Sequence, residues 1–84
     1  MTGLEVRDML HEKIKNYLRT NHAPPKLIRL PVLLAHDLSK CGLNELGPLA
    51  EKIAIEGIGA LVKYGYQGHP VKLELEEENE IVIE

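Results

Sequence analysis

"EGIGALVKYGYQGHPVKLELE", residues 56–76, holds the change of period that decides the fold. Before it, Leu46, Leu49, Ala50, Ile53, Gly57, Ile58 and Leu61 recur at three- and four-residue spacing, the mark of one helix face. After Gly65 the period drops to two, with Val71, Leu73 and Leu75 on one side and Lys72, Glu74 and Glu76 on the other. Gly65, Gly68 and Pro70 turn the chain between the two regimes. A helix that hands over to an alternating strand points to an α+β fold.

The glycines of this run raise a second reading, a loop that cradles phosphate. A dinucleotide fingerprint needs G-x-G-x-x-G between a strand and a helix, so that the backbone can approach a pyrophosphate at the helix N-terminus. "GIGALV", residues 57–62, lacks the third glycine and falls late in the helical pattern. Gly57 and Gly59 are therefore expected to form a packing notch in the helix, and Gly65 to stop it. Tyr64, Tyr66 and His69 remain as the candidate contacts of the segment.

Working towards the C-terminus, "EIVIE", residues 80–84, can return along residues 71–76 after a turn at "EEN", residues 77–79, which gives a C-terminal hairpin. Val82 points away from Ile81 and Ile83, so the last strand carries apolar groups on both faces and asks for cover on both.

Working towards the N-terminus, Pro31 follows the short run "KLIRL", residues 26–30, read as a strand with Ile28 and Leu30 on one face. Pro31 suits the first turn of a helix over "PVLLAHDLSKC", residues 31–41, with Gly42 as its left-handed stop. "TGLE", residues 2–5, is a capping box, and Val6, Met9, Leu10, Ile14, Tyr17 and Leu18 form the apolar stripe of a helix of about 17 residues. That helix ends near the proline pair Pro24 and Pro25. The expected order is N-terminal helix, strand, two helices and a C-terminal β-hairpin, as one domain over residues 1–84 with the helices on one face of a small sheet.

The totals fit one thin core. The chain has 84 residues, 44% of them apolar, and its aromatics are Tyr17, Tyr64 and Tyr66. An aliphatic core this light often gains burial by self-association, so a homo-oligomer or a complex with another protein is expected. Residues 1–40 carry seven Lys or Arg against four acids, and residues 41–84 three Lys against nine Glu, an asymmetry able to steer one copy towards another. A single cysteine, Cys41, excludes an internal disulfide and favours a reducing, cytoplasmic setting. No apolar run is long enough to span a membrane.

Catalytic chemistry finds little footing. "AHDLSKC", residues 35–41, gathers His36, Asp37, Ser39 and Cys41, but at helical spacing Asp37 meets Cys41 while His36 does not. His11, His22, His36 and His69 are scattered, with no paired ligand spacing, and read as surface histidines. No cofactor motif is present, and a non-enzymatic role is expected.

Two resemblances add to this. Residues 26–58, with strand, helix, helix and an R-x-P step, resemble ribbon-helix-helix DNA-binding proteins, which dimerise through the strand. The resemblance implies that Pro25, Leu27 and Arg29 face DNA, with Arg29 as the base reader. The net charge of −3 and the lack of a basic face weigh against it. "PPKLIRLPVLLAHDLSK" and "YGYQGHPVKLELE" resemble small α+β proteins encoded by bacteriophages and prophages, which implies an accessory or virion-assembly role. A third class, a small-ligand-binding protein with an interface pocket near Tyr64, Tyr66 and His69, stays open.

Overall fold

The computed structural model describes residues 2–75 and 80–84. Helix α1 spans Gly3–Asn21 and begins where the capping box lies, the Glu5 N–H donating to Thr2 Oγ1 at 3.2 Å and the Thr2 N–H to Glu5 Oε1 at 3.1 Å. It ends at His22, in the left-handed region, just ahead of the prolines. Val6, Leu10 and Ile14 are its buried face, while Leu18, expected on the stripe, is 41% exposed.

Strand β1 spans Ile28–Pro31 and runs directly into α2, Val32–Leu38, with Pro31 as the cap rather than inside the first turn. Gly42 is not a left-handed stop. Its backbone is extended, and its N–H donates to Glu45 Oε2 at 2.9 Å, which opens the short helix α3, Leu43–Leu46. Gly47 and Pro48 start α4, Pro48–Glu56, with proline at the first position, where no N–H is needed.

The long second-half helix is in fact two. Gly57 ends α4 with φ of +76°, and α5, Gly59–Tyr64, follows after one residue. A left-handed break is invisible to the apolar spacing, because the stripe resumes in register on the far side. A Cβ on Gly57 or Gly59 would meet nothing within 4 Å, so the expected notch is not there. It lies instead at Gly3, where a Cβ would sit 2.5 Å from the Asp37 carbonyl oxygen and 2.8 Å from Cys41 Sγ. That glycine lets the start of α1 touch the end of α2. Gly65 does stop a helix, as expected, capping α5 with φ of +76°, and a Cβ there would also meet the His69 carbonyl oxygen at 2.7 Å.

Strands β2, Val71–Glu74, and β3, Val82–Ile83, complete a sheet of order β2-β1-β3 among the described residues. The class is α+β with helices packed on a small mixed sheet. The hairpin is corrected: β2 and β3 do not pair with each other, and the turn expected at residues 77–79 lies outside the described residues. β1 lies between them, parallel to β2 with Ile28 opposite Val71, and antiparallel to β3 with Ile28 opposite Ile83.

Two physical reasons favour this order. Ile28 and Leu30, 0% and 1% exposed, take the most enclosed place in the sheet. Arg29, between the outer strands, donates from Nη1 to Glu74 Oε1 at 2.8 Å and from Nε to Glu84 Oε1 at 2.6 Å. Paired directly, β2 and β3 would bring their carboxylates together without this cation.

One apolar cluster joins α1, α2, the sheet, Ile53, Ala60, Leu61 and Tyr66. Strand parity puts Ile28, Leu30, Val71, Leu73, Ile81 and Ile83 on the helix side and Arg29, Lys72, Glu74, Val82 and Glu84 on the other. The alternation read from sequence holds through Val71 and Leu73, but Leu75, past the end of β2, is 88% exposed.

Candidate functional site

The turn between α5 and β2 builds the site. Tyr66 and His69 exchange backbone hydrogen bonds of 2.8 and 2.9 Å across Gln67 and Gly68, both at positive φ, the geometry of a tight two-residue turn. The turn carries the Tyr66 ring into the core, 2% exposed, and leaves Gln67 at the surface.

The Tyr66 hydroxyl meets His11 Nε2 of α1 at 2.5 Å, and Gln67 Nε2 approaches the same nitrogen at 3.3 Å. Burial, and then the Arg7 charge, push the His11 pKa down against a small opposing pull from Asp8. Burial pushes the Tyr66 phenol up to about 12. Both directions favour the uncharged forms, so near neutral pH the pair is a neutral phenol hydrogen-bonded to a neutral imidazole. His11 is therefore a half-buried anchor rather than the surface histidine expected from its isolation.

Beside the turn is an open cleft of about 260 Å³. Leu46 of α3, with Pro48 and Leu49 of α4, gives it an apolar wall; Glu45 and Lys52 stand on the same side, and Tyr64, Gly65, Tyr66 and Gln67 form the other. Tyr64, 42% exposed, is held at the rim by three groups. Its hydroxyl donates to Glu56 Oε2 at 2.6 Å, Lys52 Nζ lies 4.3 Å from its ring centroid, and Lys63 Nζ lies 5.2 Å from it. Glu56 also accepts from Lys63 Nζ at 2.9 Å. The Tyr64 hydrogen bond first, and the Lys63 one second, hold the Glu56 pKa below its ordinary value.

The structure thus brings Tyr64 and Tyr66 together at one cleft. His69 takes part through its backbone and is not among the lining residues. Sequence reading missed Leu49, Lys52, Glu56 and His11. A signal existed for Lys52 and Glu56, four residues apart on α4 with opposite charge. His11 has a fainter one, at the margin of the Leu10–Ile14 stripe.

The other candidates fall apart in space. Arg29 is engaged by two carboxylates, and hydrogen bonding to Glu84 and then Glu74 raises its pKa. Both edges of β1 are taken within the chain, so the intermolecular ribbon of a ribbon-helix-helix dimer has no free edge there. The Ser39 hydroxyl donates back to the His36 carbonyl at 2.6 Å, and burial raises the pKa of the Cys41 thiol beside Gly3. Among the described residues no three His, Cys, Asp or Glu converge on a point, and no helix is long and apolar enough to cross a membrane. A second, shallower depression of about 310 Å³ lies between α1 and β3, lined mainly by Lys13, Asn16, Tyr17, Thr20 and Asn21. Compared with protein-family models, curated proteins and solved structures, the chain returns no match.

Proposed function

We propose that the chain is a small non-enzymatic interaction module that self-associates and receives side chains of a protein partner in the Tyr64–Tyr66 cleft. The observation that supports this most is the size and shape of the cleft. At about 260 Å³ and open to solvent, it stands at the small end of the cavities of about 300–1,000 Å³ that enclose drug-sized molecules. It is wide enough for one or two protruding side chains, and its apolar wall with a Lys52, Glu45 and Gln67 rim matches the make-up of a protein contact.

Tyr64 suits the role as well. A ring fixed by a hydrogen bond and a nearby ammonium loses little freedom on binding. A reducing cytoplasm suits the single thiol, and the accessory or assembly role implied by the phage-type resemblance is of this kind.

The test is selection of a random peptide library on the immobilised protein, repeated on Leu49→Asp. Binders with apolar anchors that are lost on Leu49→Asp support the reading. An empty selection, or binders indifferent to Leu49, overturns the cleft as a protein site. A metabolite that raises the melting temperature in a thermal-shift screen would favour the small-ligand alternative instead.

A further inference from the structure

The outer edge of β2 carries a self-complementary pattern. The Ile28 N–H donates to the Pro70 carbonyl at 2.8 Å, and in a parallel ladder this places the polar backbone groups of Pro70, Lys72 and Glu74 towards β1. By alternation, the N–H and C=O groups of Val71 and Leu73 point outwards, where no other strand pairs with β2 among the described residues, and pairing there would extend the strand by one residue to Leu75.

We propose that a second copy of this chain pairs there, β2 against β2 and antiparallel, about a two-fold axis through Leu73, joining two three-stranded sheets into one of six. At this register Leu73 lies opposite its own symmetry mate and Val71 opposite Leu75 of the other copy, as hydrogen-bonded pairs. Lys72 lies opposite Glu74 of the other copy, twice by symmetry. Those are non-hydrogen-bonded pairs, where side chains approach closest. Shifting the axis by one residue either way puts Lys72 opposite Lys72 or Glu74 opposite Glu74, so charge selects a single register.

Two exposed residues gain a role. A lysine on an edge strand ordinarily discourages pairing, and here the glutamate two positions on turns the deterrent into a selector. Leu75, 88% exposed in the single chain, acquires an apolar neighbour in Val71 of the second copy. Glu74 keeps its Oε1 bond to Arg29 and offers Oε2 to Lys72.

This pairing rests on the self-association proposed above, while the cleft is a separate surface. Sedimentation velocity at tens of micromolar, with wild type, Lys72→Glu and Lys72→Glu/Glu74→Lys, tests it. Turning two attractive pairs repulsive should weaken the dimer about ten-fold, and the charge swap should restore most of it. In a Cys41→Ala background, mixing Lys72→Cys with Glu74→Cys should give a disulfide-linked heterodimer in preference to either homodimer. A dimer indifferent to these changes and without the cross-link overturns the edge pairing and leaves self-association standing. A strict monomer overturns both, and the cleft is then judged by the peptide selection alone.

Discussion

The hydroxyl of Tyr66 and the imidazole of His11, fifty-five positions apart, meet at 2.5 Å and tie the α5–β2 turn to the first helix. The imidazole is neutral there because burial and Arg7 lower its pKa from the ordinary 6.5. Below that pH the unfolded chain binds a proton that the folded chain resists, so acid favours unfolding. The contribution is present above pH 6.5 and is lost as pH falls from there through the lowered folded value. Urea denaturation from about pH 7.5 to 5 should show stability declining on the acid side, and His11→Gln should flatten that segment of the profile.

Tyr66→Phe removes the hydroxyl and leaves the ring packed. It should cost about 1 kcal/mol at neutral pH, the net worth of one hydrogen bond. Chemical denaturation measures it. A loss of several kcal/mol would mean that the ring itself shifts, and that would also disturb the wall of the cleft.

The glycines separate by sign. Gly3→Ala forces a methyl against the Asp37 carbonyl and Cys41 Sγ, and should destabilise by about 1–3 kcal/mol. Gly59→Ala, in helical backbone with open space around it, should stabilise by about 0.5 kcal/mol. Melting temperatures of the two variants should move in opposite directions.

Arg29→Met removes the cation shared by Glu74 and Glu84. The backbone bonds of Leu27 and Lys26 with Glu84 should then open more readily, seen as faster hydrogen exchange at the Lys26, Leu27 and Glu84 amides than in wild type. Duplex DNA at low salt should show no binding that depends on Arg29, because its Nε and Nη1 are held by two carboxylates whose charges offset its own.

The readable parts of this fold were the local ones. Thr2 and Glu5 announce α1, and Pro31 and Pro48 mark helix starts, because caps and prolines act on their own few residues. Gly57 was given a packing role that belongs to Gly3, which was given none, and both follow from one cause. Gly57 at a break and Gly3 at a close approach differ from an ordinary helical glycine only in what surrounds them, and a one-letter code does not carry that. The partner of β1 was hidden for a different reason: Arg29 and its two carboxylates are far apart in sequence, while the hairpin reading used only neighbours. Tyr64 and Tyr66 could be singled out from the glycine run, but the Leu49 wall and the His11 anchor come from other elements and needed the fold.

The central place of β1 also has a consequence in time. β1 ends at Pro31, and its first sheet partner begins only at Val71. At about 5–20 residues per second, a ribosome leaves that strand without either neighbour for roughly 2–8 s, and the antiparallel side waits longer still. Synthesis therefore exposes Ile28 and Leu30 in a nascent chain that cannot yet hide them in a sheet, and helices alone, α1 and α2 first and α3 to α5 after them, are on hand as temporary cover.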